Sequence, residues 1–289
     1  MTRPTITGIQ RASVFSPNNI GNDAAIFNGV AEYIRRKGFP VMACTEQEFL
    51  SLPQNPERVF AMLRNQSAIR RLQQWETEGC RCVNSAFGIE NSERERMTKL
   101  LVEHRIPYPD SLIVHTHDNI IPLLEQRGYT SCWLKRSDFH AIHREDVTYT
   151  RHPEEVQDML SEYALRGIEK VVINEHIEGD LIKFYGVAGA PFFYWFYPFD
   201  KRHSKFGWEK INGNVKGIPF KEDELRELCR RTAEALNLIV YGGDCIVSPD
   251  GIIRIIDFND WPSFAPCRKE AIPHIGEAIL RQLGMENGE

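Results

Sequence analysis

The chain has no run approaching the roughly 20 consecutive apolar residues that a membrane-crossing helix requires. Its first residues, Met1-Thr2-Arg3-Pro4, lack the apolar stretch of a secretory signal. There is no CxxC pair among its seven cysteines, Cys44, Cys80, Cys82, Cys132, Cys229, Cys245 and Cys267, and their number is odd. That pattern argues against a disulfide scaffold and against structural zinc, and leaves reduced thiols in a cytoplasmic protein as the expectation. A basic excess is missing too. The formal net charge of -5 argues against nucleic acid as the main partner, because phosphate binding usually shows as surplus Lys and Arg. Neither internal repeats nor low-complexity tracts occur. What is present is ordinary globular material: 289 residues, 42% hydrophobic and 26% charged, enough for one large domain or two to three small ones.

The first hundred residues alternate short apolar runs with amphipathic helical patterns. A strand is expected over 6–15 and a polar loop over 16–22. A helix then turns Ala25, Val30, Ala31 and Ile34 to a core and stops near Lys37-Gly38. Strands follow at 39–43 and 58–63, a helix at 67–78, and a short strand ending at Val83-Asn84. This rhythm predicts a small parallel sheet with helices on its faces. A helix over 92–104 ends in Arg105-Ile106-Pro107-Tyr108-Pro109, since proline disfavours helix in the residue before it, and a first lobe is placed at 1–108. A second α+β lobe, 109–178, has strands near 112–114, 132–135 and 171–173, with helices at 118–127 and 153–166. The last lobe, 179–289, opens with a hairpin, 181–187 and 192–197, followed by a polar, basic loop over 200–217. An amphipathic helix carries Leu225, Leu228, Cys229, Thr232, Ala233 and Leu236 on one face. Strands at 239–247 and 252–258, joined by Ser248-Pro249-Asp250-Gly251, close the domain.

The strongest chemical signal lies in that terminal hairpin. Asp257 and Asn259 stand two apart on a strand, so both side chains leave the same face, and Asp244 on the partner strand can sit opposite them. Two carboxylates and an amide oxygen form a hard, oxygen-only set that suits magnesium carrying ATP phosphates. Phe258 between them points the other way, toward a core. A surface hairpin with unrelated acids would read the same, so other segments must decide. Trp133-Leu134-Lys135 is an apolar strand ending in a lysine, placed to hold phosphates or merely snorkelling at a strand end. Val172 to Asp180 leads a buried strand into the polar turn Asn174-Glu175-His176-Ile177-Glu178-Gly179-Asp180. Such a segment can present backbone groups to an adenine edge and carboxylates to a ribose. Lys183, inside the apolar run 181–187, needs either an ion-pair partner or a phosphate.

In this order and spacing the segments resemble the ATP-grasp superfamily over nearly the whole chain. The stretch from Cys82-Val83-Asn84 to Arg105-Ile106-Pro107-Tyr108-Pro109 is similar to a passage of ribosomal-protein glutamate ligases and D-alanine ligases. The resemblance implies an α/β (α+β) ATP-grasp fold, with an N-terminal parallel-sheet domain for the acceptor and two α+β lobes clasping ATP. It implies that Lys135 is the second ATP lysine and that Glu175, His176 and Ile177 form the hinge that reads adenine. Glu178, Asp180, Lys183 and Ile256 belong to the same implied nucleotide site, and Asp244, Asp257 and Asn259 to one or two Mg2+ ions. Two departures stand out. Arg94 occupies the place of the usual first ATP lysine, and a guanidinium still binds phosphate, with a more planar donor geometry. The loop over 136–144 has no glycine, where the superfamily covers the phosphates with glycine amides. His140, His143 and Arg144 are candidates for that work and hint at an anionic acceptor nearby.

Acceptor contacts implied by the superfamily fall on Arg11, Ser13, Asn18, Asn22 and Arg64, with further positive charge in Lys201-Arg202-His203-Ser204-Lys205. The leading expectation is a carboxylate–amine ligase acting through an acyl phosphate, served by Lys183, Arg64 and His140. No protein nucleophile is needed, so Cys132 and Cys245 read as packing residues. A kinase is the alternative, because the run 181–187, the Asp257-Phe258-Asn259 motif and His140 also resemble inositol-phosphate kinases. A highly phosphorylated acceptor would, however, want more lysines in 1–108 than this chain supplies. A non-catalytic ATP-binding module is a third reading, favoured by Arg94 and the glycine-free loop and opposed by the complete Asp244, Asp257 and Asn259 set. The acceptor is expected to be a small, anionic molecule. Many superfamily members are dimers, yet no segment here marks a subunit interface.

Overall fold

The strand–helix alternation of the first residues becomes β1 (Ile6–Gln10), α1 (Ile20–Arg36), β2 (Val41–Thr45), α2 (Glu46–Leu50), β3 (Arg58–Ala61), α3 (Gln66–Thr77) and β4 (Arg81–Val83). The structure is a computed structural model and describes residues 3–17, 19–138, 144–198 and 209–285. These four strands form a parallel sheet in the order β2-β1-β3-β4, so each link between them needs a crossover, which the helices supply. α1 buries Ile26, Phe27, Val30, Ala31 and Ile34, a helical spacing that gives it one apolar face. α2 starts on a capping box between Thr45 and Glu48, and α3 on Asn65, whose side chain accepts from the Ala68 amide. The strand expected over 6–15 is shorter, because Ser13–Phe15 forms a 3-10 turn. The helix also begins earlier than expected. Gly21 and Asn22 look like loop residues, but in a first helical turn polar groups meet unpaired amides and are stabilising.

Two helices follow, α4 (Ala86–Asn91) and α5 (Arg94–Glu103). α4 escapes sequence reading because six residues show too little periodicity. The second sheet contains β5 (Ser111–His115), β6 (Cys132–Arg136), β7 (Val147–Thr150) and β8 (Lys170–Glu175), antiparallel in the order β5-β8-β6-β7. α6 (Ile121–Arg127) and α7 (Pro153–Leu165) cover one face through Leu124, Val156, Leu160 and Tyr163, packed on Cys132, Leu134, Val171 and Ile173. Alternation leaves Trp133, Lys135 and Asn174 on the other face, turned to a cavity.

The third sheet holds β9 (Asp180–Val187), β10 (Phe193–Phe196), β11 (Val240–Val247) and β12 (Ile253–Asp260), antiparallel in the order β10-β9-β11-β12. α8 (Glu209–Asn212) lies between β10 and α9 (Glu222–Leu236) in sequence. α9 buries Leu225, Leu228, Cys229, Thr232, Ala233 and Leu236, the face its periodicity marks. That face shares a core with Ile182, Phe184, Cys245 and Phe258, and also with Met97, Leu101 and Ile106. α5, placed with the first lobe by sequence order, therefore packs into the core of the third sheet. α10 (Arg268–Gln282) was not foreseen after the closing hairpin. Its Pro273 lies inside the helix, where proline normally signals a break, and this hides its periodicity. It buries Ala271, Ile275, Ala278 and Ile279 in the same core as Ile26, Phe27 and Ile34. Asn84 fastens the first sheet to β11: its fully buried amide donates to the Val240 carbonyl and accepts from the Ile239 and Val240 amides, each at 2.8 Å.

Candidate active site

A cavity of about 370 Å³ is lined from three directions: the loops after β1 and β3, the open face of β6 and β8, and the face of β9, β11 and β12 away from α9. One irregularity in the β11–β12 ladder shapes it. Asp244 pairs with Asp257 but Cys245 pairs with Ile255, so Ile256 is an extra residue without a partner on β11. Such a bulge breaks the period of two. Ile253, Ile255 and Phe258 consequently enter the core, while Ile256, Asp257 and Asn259 all line the cavity. Lys183, Asp244 and Asp257 stand in register on three neighbouring strands.

Lys183 Nζ lies 2.7 Å from Asp244 Oδ1, the partner its burial demands. Asn259 Nδ2 donates to Asp257 Oδ2 at 3.0 Å, and Arg94 Nη2 is 3.5 Å from Asp257 Oδ1. Lys135 donates to the Ile256 carbonyl at 2.9 Å. Burial pushes its ammonium down to about 8, Arg94 adds to that shift, and Asp257 and Asp244 oppose it. Arg94 is the first residue of α5 and only 5% exposed; its Nε and Nη1 are buried with no hydrogen-bond partner. A buried guanidinium with two unused nitrogens is costly unless an anionic ligand completes it. Asp244, Asp257 and Asn259 offer a compact oxygen donor set. Among the described residues no group of three or more His, Cys, Asp or Glu side chains could hold a metal ion, and the third oxygen of this set would be the Asn259 amide. That set fits a hard cation such as Mg2+; in this structure Lys183 and Arg94 offset part of the negative charge of its two carboxylates.

Glu175, His176 and Ile177 line the cavity at the end of β8. Trp133 Nε1 donates to His176 Nδ1 at 3.0 Å, and Tyr149 packs edge-on to the His176 ring. Burial holds the His176 imidazole below its ordinary pKa, against the pull of Glu178, which suits a neutral ring accepting that bond. Asn174 donates to Tyr108 and Ser111, and its Oδ1 is buried without a partner on the cavity side. Two residues expected here do not line the cavity. Glu178 is exposed in an adjoining groove that shares Pro109, Glu175, His176 and Ile177 with it. Asp180 is buried outside the cavity, because both its oxygens accept backbone N–H bonds, from Lys216 and Ile218, each at 2.7 Å. Gly179 before it has a φ of 157°, and a Cβ there would stand 2.2 Å from the Val247 carbonyl oxygen, so only glycine fits that turn.

At the far end of the cavity, Arg11 contacts Asp23 at 3.1 Å and the Trp261 carbonyl at 3.0 Å, leaving Nε buried and unpartnered. Arg64 forms a close ion pair with the fully buried Asp260 and donates to its carbonyl at 3.2 Å; Ser92 also donates to Asp260. Of the expected acceptor residues, Arg11 and Arg64 line the cavity. Ser13 and Asn22 do not, and Asn22 instead accepts from Arg268 at 2.7 Å. Asn18, His140, His143 and 201–205 lie outside the described residues, as does the side chain of Arg144. Sequence reasoning missed Asp23, Tyr185 and Asn212, which also line the cavity. Tyr185 was within reach of the argument, since it stands two residues beyond Lys183 on the same strand face. Cys132 and Cys245 are thiols buried away from the cavity, where burial raises both. Among the described residues no helix is long and apolar enough to cross a membrane.

No family model matches the sequence, and no curated protein matches it. Solved structures do match over nearly the full length. D-alanyl-alanine synthetase A from Vibrio cholerae is similar at 13% identity and a TM-score of 0.71, covering 98% of each chain. D-alanine–D-alanine ligase from Bacillus anthracis, complexed with ATP, is similar at 13% identity and 0.68, covering 97% of each. The ATP-grasp ligase PsnB, complexed with a precursor peptide and AMPPNP, is similar at 15% identity and 0.62, covering 98% of each. The architecture of three sheets around one cavity is thus the ATP-grasp fold.

Proposed function

We propose that this ATP-grasp chain is a Mg-ATP-dependent carboxylate–amine ligase that works through an acyl phosphate. The observation that carries the reading is Arg94, buried with two unpartnered nitrogens in one cavity with Lys135, Lys183 and the Asp244, Asp257 and Asn259 face. The end of β8, from Glu175 to Ile177, holds adenine with Trp133 beside it. Arg94, Lys135 and Lys183 bind the phosphates and disperse charge on the transferring group, the main protein contribution to phosphoryl transfer. Asp244, Asp257 and Asn259 hold magnesium, which neutralises phosphate charge when bound. Arg11 and Arg64 orient an acceptor carboxylate. Its oxygen attacks the γ-phosphorus and ADP leaves; an amine then attacks the acyl carbon, phosphate leaves, and a proton is released. Lys183 and Arg64 border the reacting groups in this account, and His140 is assigned to the same chemistry from its sequence position alone. The protein is placed in the cytoplasm, where its free thiols stay reduced.

The ligase reading draws support from the charge of the cavity. Its described lining holds five cationic side chains, Arg11, Arg64, Arg94, Lys135 and Lys183, against five carboxylates, Asp23, Glu175, Asp244, Asp257 and Asp260. Among the described lining residues there is no cationic surplus for a polyphosphorylated acceptor, which disfavours the kinase reading. The similar structures carry ligase or synthetase names, and this proposal brings that chemistry to the present chain. Hydroxylamine separates the readings directly. With Mg-ATP and pools of carboxylates, a ligase converts its acyl phosphate to a hydroxamate. A kinase product, a phosphate ester, gives none, and that outcome would remove the ligase proposal.

A further inference from the structure

Asn212, the last residue of α8, lines the cavity, and its amide nitrogen is buried with no hydrogen-bond partner. Buried donors are nearly always paired, so this one marks a place where a ligand oxygen is missing. How the residue is held there is visible. Asp180, 2% exposed at the start of β9, accepts the backbone N–H groups of Lys216 and Ile218. These two bonds tie the segment that leaves α8 down onto the third sheet. α8 itself packs against β9, the strand whose cavity face carries Leu181, Lys183 and Tyr185. A phosphate that engages Lys183 therefore lies on the strand that α8 packs against, in the same cavity as a donor that has nothing to bond.

We infer that Asn212 is a phosphate-binding residue of the nucleotide site, its Nδ2–H donating to a phosphate oxygen, and that Asp180 is the residue that positions it. The inference rests on the ligase reading only for the presence of ATP. It gives Asp180, which does not line the cavity and whose two oxygens accept backbone N–H bonds, an indirect role in place of a ribose contact. Phosphate oxygens supply acceptors alone, which matches the unused donors of Asn212 and Arg94 in the same cavity.

The test is calorimetric binding of AMPPNP and of adenosine to the full chain and its variants. Asn212→Ala is expected to weaken AMPPNP about tenfold, the effect of losing one hydrogen bond to a charged group, and to leave adenosine unchanged. Asn212→Asp is expected to weaken AMPPNP further, because a carboxylate then faces the phosphate. Asp180→Asn keeps at most one of the two backbone bonds and is expected to weaken AMPPNP, with faster amide exchange at Lys216 and Ile218. In an Asn212→Ala background it is expected to add nothing, since it acts through Asn212. Unchanged AMPPNP affinity in Asn212→Ala, or equal losses for AMPPNP and adenosine, overturns the assignment. No AMPPNP binding by the wild-type protein would overturn the ligase reading as well, so the two failures are distinguishable.

Discussion

Lys135 should take up a proton when the nucleotide binds, and the size of that uptake can be worked from its surroundings. Burial and the neighbouring Arg94 push its ammonium down to about 8 in the free protein. Phosphate oxygens placed against it favour the charged form and return it toward its ordinary value. The free protein is then short of about 0.1 proton at pH 7, about half at pH 8 and about 0.9 at pH 9, and binding restores each deficit. Uptake therefore rises with pH, and nucleotide affinity falls above pH 8 by at most about tenfold per unit. Titration calorimetry in two buffers of different ionisation enthalpy measures the uptake at each pH. Lys135→Met supplies the control, because it should abolish the pH-dependent part and weaken nucleotide binding. The same variant should stabilise the free protein at pH 7. The unfolded chain binds more protons between about pH 8 and 10.5, so stability rises through that window and the buried charge is a cost below it. That cost is of the order of 3 kcal/mol. Uptake that is absent, or that persists unchanged in Lys135→Met, would refute the reasoning.

Two further substitutions probe what holds the cavity together. Asn84→Ala removes three hydrogen bonds from a fully buried side chain to residues 239–240 and should lower unfolding stability by about 3–5 kcal/mol, read from denaturant midpoints; a loss under about 1 kcal/mol would contradict the tie between the first sheet and β11. Arg64→Ala leaves Asp260 buried without its cation and should cost about 3–5 kcal/mol, with Arg64→Lys recovering only part, because lysine lacks the forked contact to side chain and backbone carbonyl.

The chemistry was more legible than the packing around it. Asp244, Asp257 and Asn259 could be placed together because a strand repeats every two residues, and Lys135 and Lys183 because a cation in an apolar strand must be explained. The rest depended on contacts far apart in sequence. Asp180 follows a glycine at the end of the β8 turn and reads as a ribose ligand, yet amides more than thirty residues later claim both its oxygens. The amphipathic face of α5 shows that it is buried, not that its neighbour is α9 rather than the first sheet. Asp23 looks like a helix-start residue by its position, and only the fold turns it toward Arg11 and the cavity. α10 was hidden by Pro273. For Asp180 and α5 the local pattern was read correctly as polar and helical, and tertiary context decided the use.

Magnesium-dependent ADP release, with Asp257→Asn as the control, tests the central claim most directly. Pools of carboxylates and amines would be supplied separately and together, beside polyols and sugar phosphates. The account predicts sustained ADP release only when a carboxylate and an amine are both present. It also predicts a loss of at least about a hundredfold in Asp257→Asn, as expected when transition-state charge stabilisation is removed, with the fold intact by circular dichroism. ADP formed with a polyol alone, or unchanged turnover in Asp257→Asn, would contradict it.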